Sequence, residues 1–139
     1  MTIIRAAGLE DVEAIFVLAK AFATSFEVDE TAFRRTFSEV LATSDANLIV
    51  AEGQGQVVGY LLGFDHGTFY ANGRVAWVEE IAVSAEFRRK GIGKLLMQEF
   101  ERWARQRECR LVALATRRAA AFYEALGYEA SAAYFRKKL

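Results

Sequence analysis

Apolar and polar residues recur along the chain with two different periods, and the switches between them divide it into elements. A brief apolar stretch, Ile3 to Ala6, predicts a first strand. Val12, Ile15, Phe16, Ala19, Phe22 and Ala23 then follow helical spacing, and Phe33, Phe37, Val40 and Leu41 predict a second, shorter helix. Asp29 or Glu30 near its start suits the positive end of the helix dipole. Leu48 to Ala51 and Val57 to Phe64 are strand-like, and Gly53-Gln54-Gly55-Gln56 between them predicts a hairpin.

Val75 to Val83 predicts the next strand. Ile92, Leu95, Leu96, Phe100 and Trp103 then form one apolar helical face, with Glu99, Glu101, Arg102 and Arg105 largely outside it. Arg110 to Ala115 predicts another short strand; Ala119, Phe122, Tyr123 and Leu126 line a fourth helix that Gly127 is well placed to stop. Tyr128 to Lys138 has room for one or two final strands. Early helices, then hairpin strands, then strand–helix–strand–helix predict an α/β (α+β) mixed sheet with helices on both faces. No repeat, low-complexity stretch or linker interrupts residues 1–139, which predicts one domain.

Composition narrows the function classes. Hydrophobic residues make up 53% and aromatics 13% of 139 residues, enough for a packed core. Lys plus Arg equals Asp plus Glu, at 18 each, so no overall field draws the protein to nucleic acid or an anionic membrane, and neither is an expected partner. The single cysteine, Cys109, forms no internal disulfide and no zinc-type pairing, so no metal is expected. The first residues lack a charged-then-apolar signal pattern and the apolar runs are too short to span a bilayer, which predicts a soluble, cytoplasmic protein.

The sharpest local feature runs from Val78 to Lys94: a strand, a polar turn, and a helix opened by Gly91 and Gly93. Glycines let backbone N–H groups approach a ligand, and a helix N-terminus offers unpaired donors with a partial positive charge. Arg88, Arg89, Lys90 and Lys94 add four cations to the same turn, making an anion site suited to a pyrophosphate. The plainer alternative is a tight turn with its cations in water. Two other phosphate motifs fail: a Walker loop needs Ser or Thr after Gly93-Lys94, where Leu95 stands, and a dinucleotide fingerprint needs glycine at Leu96.

In the preceding strand, Val75, Trp77, Ile81 and Val83 alternate to one face and Ala76, Val78 and Ala82 to the other. A strand apolar on both faces is covered on both sides. Glu79 and Glu80 nevertheless interrupt it, one per face. A desolvated carboxylate has a raised pKa and suits a general base; pairing with an arginine, or facing a wet groove, is the structural alternative.

These residues resemble the GNAT superfamily of N-acetyltransferases. Arg88-Arg89-Lys90-Gly91-Ile92-Gly93 satisfies that family's acetyl-CoA signature, Arg/Gln-x-x-Gly-x-Gly/Ala, and Ala119 to Tyr128 is similar to its second hallmark, a Phe-Tyr pair on a helix before Gly-Tyr. The order of elements matches along essentially the whole chain. Ala85 and Arg89 depart from a common Pro and Gly, and Thr116 stands where many members have Asn. The resemblance implies a central mixed sheet of about six or seven strands flanked by about four helices. It also implies a V-shaped opening between the fourth and fifth strands, where pantetheine lies like an extra strand.

The resemblance assigns acetyl-CoA contacts to Ile81, Ala82 and Val83 on the strand, to Arg88, Arg89, Lys90, Gly91, Ile92, Gly93 and Lys94 in the turn, and to Thr116 and Phe122. The Ile81 N–H would polarise the thioester carbonyl. Glu79 is the candidate base, with Glu80 second, and Tyr123, a phenol with a pKa near ~10, would protonate the departing thiolate. On spacing alone Tyr123 reads as a core aromatic. Cys109 reads as a small buried thiol, so direct attack on the thioester is expected over an acyl-enzyme. His66, in the stretch Asp65 to Gly73, either edges the acceptor pocket with Phe69 and Tyr70 or is an ordinary loop residue.

The expected reaction is transfer of acetyl from acetyl-CoA to a primary amine of a small molecule. A protein or peptide acetyltransferase and a non-catalytic acyl-CoA-binding module are the alternatives; the second would be indifferent to Glu79 and Tyr123. A homodimer is implied by the resemblance, and nothing in the sequence singles out the acceptor.

Overall fold

A computed structural model describes all residues, Met1–Leu139. The strands are β1 (Thr2–Ala6), β2 (Ala46–Gly53), β3 (Gln56–Thr68), β4 (Gly73–Val83) and β5 (Leu111–Leu114). The helices are α1 (Val12–Phe22), α2 (Glu30–Ala42), α3 (Ile92–Gln106) and α4 (Ala120–Ala125), and single 3-10 turns cover Leu9–Asp11 and Ala85–Phe87. The sheet runs in sequence order, β1-β2-β3-β4-β5. Its first four strands are antiparallel and β5 is parallel to β4, the one pair that requires a helical crossover, which α3 supplies.

Alternation along β2 shows why the sheet is covered on both faces. Ile49 and Ala51 join the core under α3 and α4 with Leu96, Met97, Phe100 and Tyr123, while Val50 joins Ile15, Ala19 and Phe37 under α1 and α2. The ends of the elements follow local chemistry. Asp29 caps α2, its Oδ2 accepting the Ala32 N–H at 2.8 Å. The β2–β3 hairpin turns on Gln54 and Gly55, both at positive φ (53° and 77°).

The sheet has five strands, not six or seven. Residues 129–139 form no strand; every one of them is exposed. Their short alternation buries too little apolar surface to offset chain ordering. Side-chain ties hold them instead: Tyr134 stacks on Trp77 with ring centroids 6.5 Å apart, and Lys138 Nζ donates to the Ser25 carbonyl at 3.4 Å. A second difference lies in β3, which continues through His66 to Thr68 and pairs His66 with Val75. His66 therefore sits on a strand, not in a loop.

The third difference matters most for the site. Leu62 pairs with Glu80 but the next residue, Gly63, pairs with Val78, so Glu79 is the extra residue of a β-bulge. The bulge changes the phase of β4. Ile81 and Val83 pack on the α3 core together with Ala76 and Val78, instead of on the opposite face, and Glu80 and Ala82 turn toward α1 and α2. Gly63 permits this shape, because a Cβ there would run into the Phe100 ring that fills the α3 side.

Candidate active site

β4 and β5 pair only from Val75 to Val78 and from Leu111 to Leu114. Beyond that point β5 ends, and Glu79 to Val83 continue with one edge unpaired. The direction of that edge follows from the ladder. Ser84 N–H donates to the Val58 carbonyl at 2.7 Å, so Val58/Ser84 is a hydrogen-bonded pair. Alternate pairs in an antiparallel ladder share this property, and Tyr60/Ala82 is the next one. The N–H and C=O groups of Ile81 and Val83 consequently point away from β3, into the opening. Arg88 supports this assignment independently: its Nε donates to the Val83 carbonyl at 3.1 Å.

At the end of this edge lies the turn into α3. Arg89 and Gly91 both have positive φ, 64° and 79°, which folds the backbone into a concavity of N–H groups. The amides of Arg89, Lys90, Gly91, Ile92, Gly93 and Lys94 donate to no group of the protein; the first α3 amide with a partner is Leu95, bonded to the Gly91 carbonyl at 3.1 Å. A cavity of about 560 Å³ opens over this turn, bounded by Val83, Phe87, Arg88, Gly93, Phe122 and Leu126. Six consecutive free donors leading into a helix N-terminus, with cationic side chains around them, suit a ligand rich in acceptor oxygens and negative charge. The donors, the cavity and the open strand edge together fit the diphosphate and the amide-bearing arm of a CoA thioester.

The acetyltransferase (GNAT) family profile matches residues 12–128. This chain belongs to the GNAT acetyltransferase family. No curated protein matches it significantly. Among solved structures it is similar to a transcriptional regulator from Bacillus halodurans C-125, with 25% identity, a TM-score of 0.90 and full coverage of both chains. It is also similar to a glucosamine-6-phosphate N-acetyltransferase from Arabidopsis thaliana, with 23% identity, a TM-score of 0.85, and 99% and 98% of the two chains covered. A third similar structure is an aminoglycoside N-acetyltransferase in complex with CoA, at 22% identity and a TM-score of 0.86, covering 100% of this chain and 96% of that one.

Within this GNAT domain the two glutamates differ more than their adjacency suggests. Glu79, on the bulge, is exposed, and its carboxyl is raised above the usual range, first by partial desolvation and then by the Glu80 charge. Glu80 is partly buried, and its Oε1 accepts a hydrogen bond from the Tyr60 hydroxyl at 2.6 Å. Burial, then the Glu80 charge, pushes the Tyr60 phenol up, so it stays protonated and donating. Tyr60 carried no sequence signal: it sits in the apolar run Val57 to Leu62 and reads as core, which by area it is, at 1% exposed.

Tyr123 is buried in the core that Ile81, Val83 and Leu114 border, between the Phe122 and Tyr128 rings. Burial raises its pKa, which keeps a proton on the phenol at neutral pH. Thr116 Oγ1 accepts the Ala119 N–H at 3.0 Å and closes the turn before α4. Lys90 Nζ lies 5.2 Å from the Phe87 ring centre. Cys109 stands apart from the opening; its thiol is 3.6 Å from Asp65 Oδ2 and is raised by burial first and the Asp65 charge second, the wrong direction for a nucleophile. No three His, Cys, Asp or Glu side chains gather to hold a metal, and no helix is long and apolar enough to cross a membrane.

Proposed function

We infer that this GNAT domain transfers an acetyl group from acetyl-CoA to the primary amine of a small molecule in the cytoplasm, without a metal and without an acyl-enzyme. One observation carries the reading: the six free amides of Arg89 to Lys94 adjoin an open strand edge bearing the Ile81 and Val83 backbone groups. The diphosphate sits on those amides with Arg88, Arg89, Lys90 and Lys94 around it, and Gly91, Ile92 and Gly93 leave the backbone accessible. Pantetheine runs along Ile81 to Val83, past Ala82, with Phe122 and Thr116 on the α4 side. The Ile81 N–H donates to the thioester oxygen and stabilises the oxyanion that forms there.

Glu79 removes a proton from the substrate ammonium, directly or through a water, in keeping with its raised pKa. The freed nitrogen lone pair attacks the thioester carbon. As the C–S bond breaks, the nitrogen sheds its second proton and Tyr123 protonates the sulfur; Tyr123 then regains a proton from solvent. The products are an amide, CoA with a free thiol, and one proton released to water.

Calorimetry with acetyl-CoA tests the cofactor half, and release of CoA thiol against a panel of amines tests the reaction. Binding at low salt that weakens as salt rises, with turnover lost in Glu79→Gln while binding persists, is the expected result. Absence of any binding would overturn the reading.

A further inference from the structure

On the α1–α2 side of the sheet lies a second cavity, of about 300 Å³. Twelve of its fifteen lining residues are hydrophobic, including Ile15, Phe22, Phe33 and Leu62, and its polar members are Asp29, Thr36 and Glu80. Asp29 spends its Oδ2 on the α2 cap, and Thr36 is exposed. Asp29 is exposed like Thr36, whereas Glu80 is partly buried: Tyr60 holds its Oε1, and Oε2 has no donor in the protein. One Glu80 oxygen is thus without a protein donor in a chamber whose other two polar side chains are exposed, one residue along β4 from Ile81, whose N–H faces the opening.

We propose that this chamber takes the acceptor, and that the acceptor is an apolar primary amine, its aliphatic or aryl body among the α1 and α2 side chains and its ammonium on Glu80 Oε2. The proposal rests on the acetyltransferase reading and deepens it. A charged amine head complements the partly buried Glu80 carboxylate, and an apolar body complements walls whose only other polar side chains, Asp29 and Thr36, are exposed. A polyhydroxylated amine would lose the solvation of its hydroxyls against the twelve hydrophobic residues of those walls with little in return. Similar structures include enzymes named for glucosamine 6-phosphate and for aminoglycosides, amines of that polar kind, which makes them the contrasting arm of the test. In this arrangement Glu80 is the anchor that fixes the ammonium beside the bulge, and the neighbouring Glu79 takes its proton.

The test offers the full-length protein, with acetyl-CoA, a series of straight-chain primary amines from propyl to octyl, 2-phenylethylamine, glucosamine 6-phosphate and an aminoglycoside. The expected kcat/KM rises roughly fourfold per added methylene until the chamber is full, with 2-phenylethylamine above both polar amines. Ala32→Phe, which fills the chamber from α2, is expected to stop the rise at a shorter chain without changing acetyl-CoA affinity; Ala23→Phe fills it from the other wall should the first variant not fold. A flat series, or preference for the polar amines, with acetyl-CoA still bound and turned over, overturns the proposal and leaves the acetyltransferase reading standing. If nothing is acetylated, calorimetry of hexylamine decides: binding that Ala32→Phe abolishes supports the chamber, and no binding ends it. Loss of acetyl-CoA binding itself is the separate failure of the function.

Discussion

The Phe122 ring of α4 lies directly against Gly93 in the first turn of α3: a Cβ at that position would stand 3.2 Å from Phe122 Cζ. Gly93 is small for the sake of a helix contact, whereas a Cβ on Gly91 would meet nothing and Gly91 is glycine for its φ of 79°. Alanine at Gly93 therefore displaces a ring, and alanine at Gly91 strains the backbone by about 1–2 kcal/mol. Acetyl-CoA binding is expected to weaken in both variants, and Phe122→Ala should restore part of the loss in Gly93→Ala but none in Gly91→Ala. A thermodynamic cycle by calorimetry reads the coupling.

The Glu79 carboxyl, raised by desolvation and by Glu80, must be ionised to act as a base. The kcat/KM is thus expected to rise with pH through an apparent pKa above the ordinary glutamate value of about 4.3. Glu80→Gln removes the like charge and should move that midpoint to lower pH while raising the acceptor KM. A midpoint unmoved by Glu80→Gln, or a limb that survives in Glu79→Gln, removes Glu79 from the role.

Tyr60→Phe deletes the donor to Glu80 Oε1 without changing shape. A hydrogen bond to a carboxylate contributes about 1.5–3 kcal/mol, so the melting temperature should fall. The acceptor KM should rise as Glu80 loses its fixed orientation, with acetyl-CoA affinity unchanged. Equal loss of affinity for both substrates would point to a purely structural tyrosine.

Asp65 joins β3 to β4 and to the end of α3. Its side chain is fully buried, with Arg74 donating at 2.7 Å and Arg107 bonded to both oxygens. Burial alone would raise its pKa, but the two arginines prevail and hold it far below the usual range. A folded-state pKa below the unfolded one stabilises the protein above about pH 3.9, and that contribution fades as pH falls through the unfolded value toward the folded one. Melting temperatures should therefore drop below about pH 4, and Asp65→Asn should flatten the drop while costing about 3 kcal/mol or less at pH 7, since both arginines keep access to water.

The outer edge of β5 has no partner strand. Such an edge invites pairing with another copy, and a homodimer is expected. Light scattering should return twice the chain mass; a monomer at micromolar concentration would end that expectation.

Much of this molecule is legible in its sequence because the signals are local. Helical spacing in α1, α2 and α3, the Gln54-Gly55 hairpin, and glycines, cations and a helix start coinciding at Arg88 to Lys94 depend on neighbours a few residues apart. Local sterics and backbone donors act within that range, so the glycine turn into α3 with its free amides could be read directly. The readings of β4 and of the C-terminal segment failed for the complementary reason. The alternation in β4 breaks at Glu79 because Gly63 and Phe100, distant in the chain, shape the strand around a bulge, and residues 129–139 lack the long-range contacts that a strand needs. The Tyr60–Glu80 pair and the apolar chamber above it likewise exist only where β3, β4, α1 and α2 meet. Sequence by itself determined where glycines and cations open α3, and tertiary packing decided which glutamate stands exposed on the bulge and which lines the chamber, because only a neighbouring strand sets the phase of a bulged one.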